Sequence, residues 1–278
     1  MVVRNGYIVY EDYFMDDELY VGPIWSVTKS IISALIGIAL EEGDIGGIED
    51  RLFDYLGEYD TEDINPYFDE ITIEHLLTMT AGFGYFPLGA SNVPAAFRED
   101  LVSRPGDEAS YNSTSTHLLS AILQEVTGMP AREMANDRIF APLCIPKPIW
   151  SADGFGTSMG GYGLYLTPRD MAKFGLLYQN DGQWNGRQII PVDWVESSTN
   201  SQAEAGTPEL SGFADYGYLW WVHPLGNYEA FAAFGTGGQM ILVVPEAELV
   251  VVTSSDSPYT MNLVSKVMQS MIQALAEE

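Results

Sequence analysis

In "IWSVTKSIISALIGIALEEGDI", Ser26 and Lys29 stand three residues apart at the mouth of an apolar run, in a chain holding only four lysines. On a helix, residues i and i+3 face the same side, so the amine can reach the hydroxyl and take its proton. A lysine acts that way near pH 7 only if its pKa falls by about 3, roughly 4 kcal/mol, which burial and a positive helix end can supply. The surrounding run is apolar, and no acidic residue lies within six positions of Lys29 to hold its charge. A snorkelling surface lysine would share this spacing, and a chance Ser-x-x-Lys is expected roughly 0.3 times in such a chain, so the pair needs companions.

Two segments offer them. In "ASYNSTSTHLLSAIL", Tyr111 stands in a loop just before a helix, where its hydroxyl could relay a proton to a leaving group. In "AFGTGGQMILVV", a glycine-rich turn opens a strand. Glycine there lets a substrate approach the sheet edge, and a backbone N–H could complete an oxyanion hole with that of Ser26. A plain hairpin turn over Gly235 to Gly238 is the structural alternative, and the turn lacks the GxGxxG context of a phosphate site.

The elements that must position these residues follow from periodicity and breakers. "VVRNGYIVYEDYF" reads as two strands joined by Asn5-Gly6, and the chain opens so directly in strand pattern that it reads as a truncated beginning. The run from Ser26 to about Glu42 is a buried helix ended by Gly43. From Asp44 to about Met159 the pattern is helical with many loops, including "ITIEHLLTMTAG", "VPAAFREDLVS" and "STHLLSAILQEVTG". "LTPRDMAKFGLLYQNDG" has Thr167 as N-cap and Pro168 at the first helical position. A shorter helix follows in "IIPVDWVESS". The strand-like runs are "YGYLWWV", "YEAFAAFG", "GQMILVVP" and "ELVVVTSS", the last two turning near Pro245 to Glu248. A closing helix spans about Tyr259 to Ala276. The expected fold is α/β (α+β): an antiparallel sheet built from both termini and flanked by helices, with a mainly helical insertion. On that reading 1–43 and 160–278 form the sheet domain and 44–159 the inserted domain, and a cleft should lie between them.

Composition narrows the function classes. Twelve basic against 39 acidic residues give a net charge of −27, which repels nucleic acid and anionic membrane surfaces. With 46% hydrophobic residues the chain still packs a core, and its acidic surface reads equally as adaptation to high salt or as ordinary acidity. The lone Cys144 excludes an intrachain disulfide and reads as a small buried hydrophobe. His75, His117 and His223 lack ligand spacing and read as structural, so no metal is expected. The longest apolar run is too short to span a bilayer, no signal segment opens the chain, and the cytoplasm is the expected location.

Order and spacing together resemble the β-lactamase-related serine hydrolases, the penicillin-recognising superfamily of class C β-lactamases, DD-peptidases, family VIII esterases and 6-aminohexanoate-dimer hydrolases. The resemblance covers nearly the whole chain: "SVTKS", "ITIEHLLTMTAGF", the Tyr111 segment, "GGYGLYLTPRDMAKFGLLYQNDGQWNGRQIIPVDWV", "YGYLWW" and "GTGGQMILVVPEAELVVV". The "GLYLTPRDMAKFG" and "GTGGQ" forms look most like the 6-aminohexanoate-dimer hydrolase and esterase branch. The resemblance implies Ser26 as acylated nucleophile, Lys29 as base and Tyr111 as proton shuttle, without metal or cofactor. It implies an oxyanion hole from Ser26 with Thr236, or with Gly235 in the alternative register. Asn112, Ser113, Gly237 and Gly238 would contact substrate. Two departures matter: Tyr111-Asn112-Ser113 replaces the usual Tyr-x-Asn, and Ala233-Phe234-Gly235 replaces Lys-Thr-Gly, removing the cation that holds a β-lactam carboxylate. Arg169 or Arg187 could replace that cation. The expected activity is hydrolysis of a small ester or linear amide, with a β-lactamase or DD-peptidase, or a silent binding protein on the same fold, as the rivals.

Overall fold

The computed structural model describes residues 1–14, 19–60, 64–86, 88–204, 215–222, 224–255 and 261–276. Its centre is one antiparallel sheet of eight strands: β1 (Val2–Arg4), β2 (Tyr7–Tyr10), β3 (Ala203–Glu204), β4 (Asp215–Tyr216), β5 (Trp221–Val222), β6 (Phe231–Gly235), β7 (Gln239–Val244) and β8 (Leu249–Thr253). Their order is β2-β1-β8-β7-β6-β5-β4-β3, so the two ends of the chain meet where Val3 faces Val250. Asn5 (φ 50°) and Gly6 (φ 76°) turn the first hairpin with two left-handed residues, as its right-handed strand twist requires. Val244 pairs with Leu249 across the expected turn at Pro245–Glu248.

Strands β6 and β7 are buried at every position and β8 at all but the last. Unbroken apolar runs of this kind belong to strands covered on both faces. The helix α1 (Thr28–Glu42) is itself buried at every residue from Thr28 to Ala39 and capped by Gly43 at φ 79°. A second helix, α2 (Thr114–Thr127), packs beside α1, and α3 (Pro168–Gln179) lies on β7 and β8. Thr167 caps α3 by accepting from Asp170 N–H. The remaining long helices are α4 (Val192–Thr199) and α5 (Met261–Ala276); the Tyr259 start expected for α5 lies outside the described residues. Between Asp44 and Met159, α2 is accompanied by short helices at Leu52–Tyr55, Ile73–Leu77, Val93–Ala96 and Ala131–Ala135. The apolar core runs without a break from Val3 to Met268, through both parts of the chain. Among the described residues, no helix is long and apolar enough to cross a membrane.

Two expectations are corrected. "YGYLWWV" is not one strand: Gly217 to Trp220 turn the chain between β4 and β5, with Leu219 at φ 63°. Gly217 fits there because a Cβ would stand 2.2 Å from Ser198 O. Cys144 is exposed rather than buried, because it turns the chain at φ 52° after Ala141 instead of entering the core.

Candidate active site

Ser26 sits in a single 3₁₀ turn (Trp25–Val27) that runs directly into α1. Trp25 holds φ 48°, a left-handed conformation that costs a bulky residue about 1–3 kcal/mol and persists only where neighbours enforce it. Two neighbours do. Ile24 N–H donates to Leu164 O at 2.9 Å, and the end of β6 presses on the turn from the other side. At Gly235 a Cβ would lie 2.4 Å from Ile24 O and 3.1 Å from Trp25 Cβ, so only glycine brings the strand this close. The result is a partly exposed Ser26 on a turn that packs against the Gly235 end of β6.

One turn on, Lys29 is 1% exposed. Its Nζ donates to Ser113 Oγ at 2.7 Å and Gly161 O at 3.0 Å, and stands 3.4 Å from Ser26 Oγ. Burial pulls its pKa down to about 7. A neutral amine has two N–H groups and one lone pair. With Ser113 and Gly161 taking the hydrogens, the lone pair is left for the Ser26 proton. Gly161 makes this possible, because a Cβ there would lie 2.4 Å from Ser113 Oγ and 3.1 Å from Lys29 Nζ.

The ring of Tyr111 lies 4.9 Å from Nζ and is wedged against Trp221 (5.5 Å) and Tyr216 (6.2 Å). Burial raises its pKa well above the usual phenol value, against a hydrogen bond with Ser26 that lowers it, while nearby Tyr85 adds a small upward push. The hydroxyl is therefore protonated at neutral pH and faces Ser26. Tyr85, Phe86 and Leu88 are exposed on the neighbouring loop, which is tied to the Tyr111 segment by Ser113 N–H donating to Phe86 O at 3.1 Å.

The structure thus brings Ser26, Lys29 and Tyr111 together, and sets Gly235 against the turn that carries Ser26. It places other candidates differently. Asn112 is fully buried and uses its amide locally, donating to Ser110 O and accepting from Ser115 N–H, both at 2.8 Å. That caps α2 and turns the amide away from any substrate. Ser113, 1% exposed, serves Lys29 instead of facing the cleft. Gly237 (φ 86°) and Gly238 (φ 92°) form the β6–β7 turn. Of the two arginines that could supply a cation, Arg169 is gripped by Glu11 through two 2.8 Å bonds, and Arg187 lies in an exposed hairpin with Trp184. His75 caps its helix with Thr72, and His117 meets Asp153 at 3.2 Å, away from the cleft chemistry; His223 lies outside the described residues. Among those residues no group of three or more His, Cys, Asp or Glu side chains is placed to hold a metal. Gly161 was not singled out by sequence reasoning, although the pair Gly160-Gly161 signals a close approach of backbone.

Known proteins share this arrangement of chain. The 6-aminohexanoate-dimer hydrolase of Paenarthrobacter ureafaciens is 26% identical over 293 residues, spanning 93% of this chain and 72% of its own. A Bacillus anthracis structure carrying a provisional 6-aminohexanoate-dimer hydrolase assignment is 26% identical with a TM-score of 0.82, over 99% of this chain and 79% of that one. The hydrolase EstCE1, described as having promiscuous acyltransferase activity, shares the fold at 17% identity and a TM-score of 0.77, over 98% and 91% of the two chains. The Beta-lactamase family model matches residues 1–268, and the chain belongs to that family as a β-lactamase-related serine hydrolase.

Proposed function

We propose that this chain hydrolyses a small ester or linear amide through an acyl-enzyme on Ser26. The observation that carries the reading is the buried Lys29 amine, held by two acceptors and within reach of Ser26 Oγ. Ser26 Oγ–H gives its proton to Lys29 Nζ as Oγ bonds to the carbonyl carbon. The N–H groups of Ser26 and Thr236 are the donors for the resulting oxyanion, with Gly235 as the alternative to Thr236. As the C–O or C–N bond breaks, Tyr111 protonates the leaving group and is restored by the proton Lys29 took. Water then attacks the acyl carbon with the same groups in reverse. Side chains and backbone N–H groups of the chain perform these steps, and the reading invokes no cofactor. The relatives carrying the 6-aminohexanoate-dimer hydrolase name support the linear-amide class, and EstCE1 supports acyl transfer on the fold.

The base must be neutral, so kcat/KM for p-nitrophenyl butyrate should rise with pH through a single limb near 7, the pKa to which burial brings Lys29. A profile flat from acid to alkali contradicts Lys29 as base. A silent binding protein would show no turnover at all.

We further propose that the acidic surface suits the chain to high salt and that it works in the cytoplasm. The described ion pairs occupy Arg104, Arg132, Arg138, Lys147, Arg169 and Lys173, and 39 acidic residues outnumber all 12 cations. Shortening the screening length from about 10 Å at 0.1 M to about 3 Å at 1 M weakens the surplus repulsion. The melting temperature should climb steadily into molar KCl. A flat curve would remove the salt adaptation without touching the chemistry.

A further inference from the structure

We propose that the buried His117–Asp153 pair is a positioning element for the Lys29 amine; this rests on the reading of Lys29 as general base. The two fixed acceptors of Nζ come from separate segments. Ser113 stands at the N-cap of α2, and Gly161 belongs to the loop 151–163. How that loop seats on α2 therefore sets where the amine points.

Three contacts seat it. Gly160 lies directly on the helix, where a Cβ would be 1.9 Å from Thr116 O. Ser120 Oγ donates to Ser158 O at 2.7 Å. Asp153 Oδ2 faces His117 Nε2 at 3.2 Å, with both side chains withdrawn from water (0% and 1% exposed). The other oxygen of Asp153 accepts from Phe155 N–H at 2.9 Å and Thr157 N–H at 3.0 Å, and Asp153 N–H donates to Thr157 O at 2.9 Å. One carboxylate thus closes the loop's turn and fastens it to α2. His117 is a single helical turn from Ser113, whose carbonyl accepts the His117 backbone N–H at 3.0 Å. The same residue therefore holds the helix that supplies one acceptor and the loop that supplies the other.

Removing a buried carboxylate from water is costly, and such groups persist where hydrogen bonds satisfy them. Burial pushes the His117 pKa down, against the upward pulls of Asp153 and of the Ser158 backbone, and so favours the neutral ring facing Asp153 through Nε2. Asp153 acts on Tyr59, which Glu58 and Glu125 also face, and Tyr111 stands over Lys29. No acceptor of Lys29 changes if the pair is cut. Its placement does.

The test uses Asp153→Asn, His117→Gln and Ser120→Ala in the full chain, with melting temperature, kcat and KM for p-nitrophenyl acetate followed across pH. The first two variants should lose about tenfold to 100-fold in kcat, as small misplacements of a reacting group do, with KM within about twofold. Their acid limb should move above 7, because a loosened loop admits water to Nζ and relieves the burial that lowers its pKa. Ser120→Ala should move the limb the same way by less. A lower melting temperature with unchanged kcat and an unmoved limb would make the pair merely structural and overturn the proposal. If the two pair variants do not fold, Ser120→Ala decides alone, and an unmoved limb there is equally fatal. A wild-type protein without an acid limb near 7 sinks the base assignment of Lys29 and this role with it, whereas an intact wild-type limb that no variant shifts sinks the positioning role only.

Discussion

Ser26→Ala yields a folded protein whose turnover of p-nitrophenyl acetate falls by about 10³-fold or more, since no covalent route remains. The fold survives because Ser26 is partly exposed and its hydroxyl fills no core space. Tyr111→Phe keeps the ring packed against Trp221 and Tyr216 while deleting the hydroxyl, and should cost about 10²-fold in kcat. Lys29→Met should be as inactive as Ser26→Ala, and its stability relative to the parent should be greatest below pH 7 and fall as pH rises. In the parent, burial brings the folded pKa of Lys29 to about 7 from the 10.5 of an ordinary lysine. Below pH 7 the full cost of charging a buried amine opposes folding, and it fades only as pH rises toward the unfolded pKa. At neutral pH that cost is about 4 kcal/mol, against about 1–3 kcal/mol for each of Ser113 and Gly161 that loses its bond to Nζ, so the change with pH is the readout. Near-wild-type turnover in folded Ser26→Ala, or full activity in Tyr111→Phe, would contradict the relay.

The second large effect concerns substrate choice. A β-lactam carries a carboxylate beside the scissile amide, and on the strand flanking Ser26 the position of the usual cation holds Ala233, 2% exposed. Arg169 is already paired with Glu11 on both carboxylate oxygens. An unpaired carboxylate drawn into such a site costs several kcal/mol, and each 1.4 kcal/mol is about tenfold in kcat/KM. Neutral short-chain esters escape that penalty and leave more easily than an amide. Kinetics at matched salt should therefore show p-nitrophenyl acetate or butyrate ahead of nitrocefin by orders of magnitude. Nitrocefin as the better substrate would restore the β-lactamase reading.

Much of the architecture is legible without coordinates because local signals agree with the fold. Asn5-Gly6 dictates a hairpin, Gly43 and Gly128 stop α1 and α2 in left-handed caps, and Thr167-Pro168 starts α3. The buried strands β6 to β8 read as continuous apolar runs. Where local pattern meets tertiary geometry, legibility ends. The aromatic run from Tyr216 to Trp221 looks extended, yet its two ends face each other across a turn because both pack at Tyr111. Side-chain direction is equally hidden: nothing in Tyr111-Asn112-Ser113 shows that Asn112 bends back to cap α2 while Ser113 reaches Lys29. The second acceptor, Gly161 O, lies 132 residues away from Lys29 and is a backbone group, so no side-chain motif marks it.

The central claim is that Ser26 is an activated nucleophile, and covalent labelling reads it most directly. A fluorophosphonate probe, followed by digestion and mass spectrometry, should give one stoichiometric adduct on the Ser26 peptide. Labelling should slow below pH 7 as Lys29 becomes protonated, and no adduct should form on Ser26→Ala. Absence of labelling in active protein, or an adduct on a different serine, would contradict the assignment.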